Sequence, residues 1–253
     1  MFDVITIPAF KDNYIWLLRK GAAAVVVDPG DARPVLEVLR REGLTLSAIL
    51  VTHHHADHQG GVAQLLEHYP AEVFGPATES ITALTQPLYG GETIRLAALA
   101  VDFRVLAVPG HTLGHLAYYG SDCLFCGDTL FAGGCGRVFE GTLAQMHDSL
   151  TRLSVFPEQT AVYCAHEYTE ANLRFALAVE PANRQLRDRV DEVAVARAKG
   201  WATVPSSLGL EKATNPFLRC DKAGPIAAAQ SREAQARDPV EVFSVLRAWK
   251  NEF

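Results

Sequence analysis

No stretch of the chain approaches the roughly 20 consecutive apolar residues that a membrane-spanning helix needs, so none of its 253 residues reads as a bilayer span. Basic residues are outnumbered, 23 Lys and Arg against 29 Asp and Glu, and they are scattered. A broad positive surface is therefore absent, which excludes sustained contact with a nucleic-acid backbone. The five cysteines, Cys123, Cys126, Cys135, Cys164 and Cys220, are odd in number and widely spread, which argues against a secreted disulfide framework. Leu124 and Phe125 between Cys123 and Cys126 suggest an apolar strand that turns the two thiols to opposite faces, so this C-x-x-C reads as packing rather than redox chemistry. No G-x-S-x-G nucleophile elbow, internal repeat or low-complexity tract occurs. Met1-Phe2-Asp3 opens the chain with an acid, and no basic segment precedes an apolar one. The expectation is a cytoplasmic, monomeric protein without membrane or nucleic-acid partners.

What is present is enough apolar residue, 49%, for one large core with a modest extension. Short β-rich runs come first, Val4 to Ile7, Tyr14 to Leu18 and Ala23 to Val27, before the turn Asp28-Pro29-Gly30. Asp31 is placed to cap a helix carrying Val35, Leu36, Val38 and Leu39. Strands are expected at Ile49 to Val51, Glu72 to Phe74, Phe103 to Val108, Leu116 to Tyr119, Cys123 to Cys126 and Ala161 to Cys164, with a helix over Leu143 to Leu153. Beyond about residue 169 the apolar spacing becomes helical, through Leu173, Ala176, Leu177, Leu186, Val190, Val193 and Val195. Asp238-Pro239 opens a last helix. The expected division is a catalytic domain over residues 1–168 and a helical domain over 169–253.

Residues 52–58 read Thr-His-His-His-Ala-Asp-His, placing four of the nine histidines directly after an apolar run. Chance would put only about 0.2 histidines in a six-residue window. Imidazole and carboxylate are ligands for zinc, iron and manganese, and a loop anchored by a strand is able to aim several at one point. His53 and His55 share one side of an extended segment; Asp57 and His58 stand where the next helix begins. One loop cannot fill two coordination shells. Three later strand ends offer more donors, in Pro109-Gly110-His111-Thr112, Gly127-Asp128-Thr129 and Ala165-His166-Glu167.

The order T-H-x-H-x-D-H, P-G-H-T, G-D and a late strand-end histidine resembles the metallo-β-lactamase superfamily. That resemblance implies an α+β fold, a four-layer αββα sandwich, here followed by a C-terminal helical extension. It further implies two divalent metal ions, zinc first with iron or manganese as alternatives. His53, His55 and His111 would hold one ion, Asp57, His58 and His166 the other, and Asp128 would lie between them. A carboxylate has two oxygens and is able to bridge cations. Two ions sharing a water would supply hydroxide as the nucleophile, with Asp57 helping to orient it.

Three flanking segments, Phe131 to Arg137, Cys164 to Thr169 and Thr214 to Arg219, together with Arg247-x-x-Lys250-x-x-Phe253, resemble the glyoxalase II family of hydroxyacylglutathione hydrolases. The resemblance runs essentially from end to end. It implies hydrolysis of the thioester of an S-(2-hydroxyacyl)glutathione, S-D-lactoylglutathione being the expected substrate, to a hydroxy acid and glutathione in methylglyoxal detoxification. Arg247 and Lys250, at i and i+3, would face the glycine carboxylate. Arg137 and Phe139 stand where that family commonly has lysine and tyrosine; arginine keeps the charge, whereas phenylalanine cannot donate the hydroxyl bond. Tyr168 matches the family's other tyrosine, and Asn251 replaces a common aspartate. The competing readings are a glutathione persulfide dioxygenase with one iron, and an inactive metal- or glutathione-binding module.

Overall fold

The computed structural model describes residues 2–253 and resolves the chain into two compact units. The first runs to Val108 and resumes over Gly114–Gly127; the second comprises Pro109–Leu113 with Asp128–Phe253.

The first unit opens with β1 (Asp3–Ala9), β2 (Asn13–Lys20) and β3 (Ala23–Val27), an antiparallel meander. After α1 (Ala32–Glu42) the strands turn parallel: β4 (Thr45–Leu50) joins β3, and α2 (Ala56–Gln59) and α3 (Val62–Leu66) precede β5 (Glu72–Pro76) and β6 (Gln86–Leu88). Asp31 caps α1 by accepting from the Arg33 N–H at 3.0 Å, and Gly43 closes it in the left-handed region. One face of this sheet packs Ile15, Leu17, Val26, Ile49 and Val73 against Val35, Leu39 and Val62 of the helices. Trp16, Leu18, Val25 and Leu50 alternate with these and are just as buried, so the sheet is covered on both sides. The second cover is antiparallel: β7 (Thr93–Leu96), β8 (Val101–Ala107), β9 (Leu116–Gly120) and β10 (Cys123–Gly127), in the spatial order β10-β9-β8-β7. From β9, the buried Tyr118 hydroxyl donates to the Val51 carbonyl at 2.8 Å, tying this sheet to the end of β4. Cys126 is buried and Cys123 half-buried, in keeping with thiols on opposite strand faces.

The second unit carries a short hairpin of β11 (Leu130–Phe131) and β12 (Gly134–Cys135), then α4 (Leu143–Ser154), β13 (Ala161–Cys164), α5 (Thr169–Val179), α6 (Arg184–Ala198), β14 (Ser206–Ser207), α7 (Leu208–Thr214), a 3-10 turn (Pro216–Leu218), α8 (Ala223–Gln230) and α9 (Pro239–Glu252). Capping boxes start α4 at Thr142 with Gln145 and α9 at Asp238 with Glu241. Phe175, Phe217, Phe243 and Trp249 form one aromatic core, with successive centroids 5.8, 5.6 and, from Phe175 to Trp249, 5.1 Å apart. The helical spacing expected beyond residue 169 is realised, but Val195 lies on the exposed side of α6, whose buried face is built from Leu186, Arg189 and Val193. The strands β6, β7 and β14 and the β11–β12 hairpin were not marked by the sequence: each is two to four residues long, too short to establish a period.

Candidate metal centre

The histidine segment leaves the carboxyl end of β4, a strand flanked by parallel neighbours on both sides, so its starting point is rigid. Asp28, at the end of β3, fastens it. Its Oδ1 accepts the Thr52 N–H and its Oδ2 the Thr52 hydroxyl, each at 2.8 Å. Asp28 adopts φ 52°, a left-handed conformation that Asp tolerates better than most residues.

These anchors also decide which imidazole nitrogens carry lone pairs. The Thr52 hydroxyl spends its proton on Asp28, so at 3.0 Å from His53 Nδ1 it accepts the proton there and leaves Nε2 as the metal-binding atom. His58 Nδ1 donates to Asp28 Oδ2 at 3.0 Å, which likewise assigns Nε2 to an ion. His53 Nε2 lies 3.0 Å from His55 Nδ1, close to the edge of about 3.3 Å that zinc–nitrogen bonds of about 2.0–2.1 Å set in a tetrahedron. Ring nitrogens of His53 lie within 4.8 Å of those on both His55 and His58. His115 stacks on His53 at 4.6 Å and fixes its plane. Asp57 Oδ2 accepts from Asn13 Nδ2 at 3.0 Å and lies 3.7 Å from His58 Nε2. His54 turns away to Glu79, whose carboxylate lies 3.1 Å from its Nδ1. Gly127 ends β10 at φ 47°, where a Cβ would come within 2.4 Å of the Thr52 hydroxyl.

In the second unit, His111, Asp128 and His166 are all at least nine-tenths buried. One oxygen, Asp128 Oδ2, lies 3.4 Å from His111 Nε2 and 3.4 Å from His166 Nε2. His111 Nδ1 donates to the Arg137 carbonyl at 2.7 Å, which again leaves Nε2 for a ligand role. Gly136 lets the backbone close beneath Asp128: a Cβ there would overlap the Asp128 carbonyl oxygen. Each unit thus presents imidazoles beside a carboxylate, His53, His55 and His58 with Asp57 in the first and His111 and His166 with Asp128 in the second, the nitrogen and oxygen donors that borderline divalent metals take.

The residues expected at the substrate end all fall in the second unit. Tyr168, partly exposed, stacks on His166 at 4.8 Å with the rings 3° from parallel. Phe139 is exposed and meets His111 edge-on at 5.2 Å, with the Arg137 guanidinium 5.8 Å from its centroid. Arg247 is buried: it donates to the Cys135 carbonyl at 3.1 Å and to Asn251 Oδ1 at 3.0 Å, while its buried Nε–H has no acceptor. Lys250 is half-buried with its ammonium 5.1 Å from the Phe175 centroid. Burial first, then Arg247, brings its pKa down to about 8.

Sequence reasoning passed over Asp28, read only as part of a turn, and Asn13, Glu79 and His115. A signal existed for Asp28, an acid directly after four buried strand residues.

The chain matches the metallo-β-lactamase superfamily over residues 10–166 and the hydroxyacylglutathione hydrolase C-terminus over residues 167–253. It is 54% identical to the hydroxyacylglutathione hydrolase of Dechloromonas aromatica across 100% of both chains. Among solved structures, ETHE1 from Myxococcus xanthus aligns with a TM-score of 0.66 and 26% identity over 99% of this chain and 98% of that one. TTHA1623, solved in a di-iron-bound form, aligns with a TM-score of 0.60 and 28% identity over 85% of this chain and 100% of that one. The fold is thus the α+β sandwich of the superfamily, whose histidine and aspartate clusters take divalent metals. By its full-length identity and by both matched segments, the chain belongs to the hydroxyacylglutathione hydrolase family.

Proposed function

We propose that the chain hydrolyses the thioester of an S-(2-hydroxyacyl)glutathione, with S-D-lactoylglutathione as substrate and D-lactate and glutathione as products, in methylglyoxal detoxification. The observation that carries the reading is the single Asp128 oxygen equidistant, at 3.4 Å, from the ligand nitrogens of His111 and His166. A lone structural aspartate has no need of two buried imidazoles brought up to one of its oxygens. His53, His55 and His111 are proposed for one ion, Asp57, His58 and His166 for a second, with Asp128 shared. Zinc is the proposed metal, and iron or manganese would suit the same donors.

When bound, such a pair of ions supplies hydroxide at neutral pH, by lowering a water pKa from about 15.7 towards 7, and positive charge for the carbonyl oxygen. The chain does the rest. Asp57, held by Asn13, has one oxygen fixed and orients the nucleophile with the other. Arg137, Arg247 and Lys250 face the carboxylates of the tripeptide, Lys250 being the more accessible of the two cations on α9. Phe139 and Tyr168 flank His111 and His166 and leave an apolar wall for the acyl and cysteinyl parts. A thiolate leaves readily, so the site requires no strong general acid.

Residues 1–168 are taken as the metal-binding part and 169–253 as the substrate-binding part. The working form is proposed to be a monomer in the cytoplasm, where the five free thiols stay reduced. Steady-state hydrolysis of S-D-lactoylglutathione by the zinc-loaded protein tests the reaction. Turnover at a KM below about 1 mM is expected; absence of turnover, or oxygen uptake with glutathione persulfide instead, would reject it.

A further inference from the structure

Glu79 belongs to the loop after β5, and its side chain is only 5% exposed. Its Oε2 accepts the backbone N–H of His54 at 2.7 Å and faces His54 Nδ1 at 3.1 Å. Its Oε1 accepts the N–H of Gly114 at 2.9 Å. Gln59 grips the peptide on the other side of the same residue: Nε2 donates to the His54 carbonyl at 2.6 Å and to the Ser80 carbonyl at 3.0 Å, and Oε1 accepts the Thr82 N–H at 2.7 Å. The N–H of residue 54 is therefore tied to Glu79 directly, and its carbonyl to residues 80 and 82 through Gln59. The approach at residue 114 needs glycine, because a Cβ there would lie 2.5 Å from the Thr78 hydroxyl and 2.6 Å from Glu79 Cγ.

Residue 54 is the link between His53 and His55, whose nitrogens converge at 3.0 Å. Residue 114 follows His111 by three positions and precedes His115, the ring stacked on His53. One carboxylate thus braces the link between His53 and His55 and the turn before β9 that carries the stacking His115. We propose that Glu79 is a positioning residue for metal binding: by holding the His54 peptide and Gly114 it presets the imidazoles of His53 and His55, so an ion meets a site already in shape. A loop free to rotate at residue 54 would have to be ordered by the ion itself, which weakens binding without altering any ligand.

This inference rests on the metal reading of the histidine segment. Wild type, Glu79→Gln, Glu79→Ala and the control Glu72→Gln, an exposed acid on β5, are loaded with zinc and challenged with graded chelator. Bound metal is read by elemental analysis, and melting of the metal-free proteins is followed in parallel. Glu79→Gln and Glu79→Ala are expected to bind zinc about 10–100-fold more weakly. The alanine variant should lose more, since glutamine keeps one acceptor oxygen. The control should track wild type, and metal-free Glu79→Gln should still melt cooperatively near the wild-type temperature. Wild-type zinc affinity in both Glu79 variants would overturn the assignment. So would a weakened affinity in a Glu79→Gln protein that no longer melts cooperatively, because Glu79 would then serve the fold alone. A wild-type chain that holds no zinc would overturn the metal reading and this inference together, and it is recognised on the wild-type sample by itself.

Discussion

Asp28 shows how one buried carboxylate sets the chemistry of its neighbours. It accepts from the Thr52 N–H, the Thr52 hydroxyl and His58 Nδ1, and all three contacts need an oxygen that offers only lone pairs. Asp28→Asn keeps the shape but places an NH2 against one of these donors. Should it face His58 Nδ1, the imidazole proton must move to Nε2, the nitrogen assigned to the metal. Zinc affinity should fall about 10–100-fold, read by chelator competition; wild-type affinity would show that the tautomer is set elsewhere. Lys250 carries a pH dependence. Burial first, then the neighbouring Arg247, brings its pKa from 10.5 to about 8, with Cys135 opposing and Arg174 adding a smaller push downward. Between those two values the unfolded chain binds the proton that the native chain has released, so this lysine's contribution to stability rises with pH across the window. Carboxylate binding runs the other way, since it needs the ammonium. The dissociation constant of S-methylglutathione should increase as pH passes through about 8, and in Lys250→Arg, whose guanidinium stays charged, that component should vanish. An unchanged ratio between the two proteins from pH 7 to 9.5 would refute the contact.

At the scale of elements, the β11–β12 hairpin that follows Asp128 is held by α7 and the turn after it. Glu211 on α7 is fully buried; its Oε2 accepts the Gly133 N–H at 2.8 Å and Asn215 Nδ2 at 3.0 Å, while Oε1 takes Arg189 at 2.6 Å and the Ser206 hydroxyl. Asn215 Nδ2 also donates to the carbonyls of Phe131 and Gly134, at 3.2 and 2.8 Å. The helical extension therefore fixes the turn between Asp128 and Arg137, whose carbonyl orients His111. Asn215→Ala would leave buried carbonyls without a donor, at about 1–3 kcal/mol each. A lower urea midpoint is expected, together with easier loss of metal; an unchanged midpoint would mean that water takes over the amide's contacts. The candidate metal ligands stood out in the sequence because each follows a β-rich run and belongs to a short motif. Their supports did not. Thr52 and Asp28, His54 and Glu79, and Gly133 and Glu211 are 24, 25 and 78 residues apart, and a single acid in a loop or on a helix looks like solvated charge until the fold buries it. The burial of Arg247 was hidden in the same way: its spacing from Lys250 says nothing of the packing against Phe217 and the Cys135 carbonyl that takes it inside.

For the molecule as a whole, the question is how strongly the ions and the folded state depend on each other. The donors lie at positions from 53 to 166, so an unfolded chain offers no comparable array, and an ion that binds only the native state stabilises it by RT ln(1 + [M]/Kd). Above saturation the slope of unfolding free energy against the logarithm of free metal counts ions. One ion gives about 1.4 kcal/mol per tenfold change in concentration, and two released together give about 2.7 kcal/mol. Urea unfolding in zinc buffers spanning several decades of free ion should therefore approach the larger slope for the wild-type chain. Asp128→Ala, which removes the shared carboxylate, should bring the slope towards the smaller value, with elemental analysis falling from two ions per chain towards one. A wild-type slope that stays near 1.4 kcal/mol at saturating zinc would mean that one ion, not two, is bound to the folded state. The hydrolytic reading would then have to be rebuilt around a single cation.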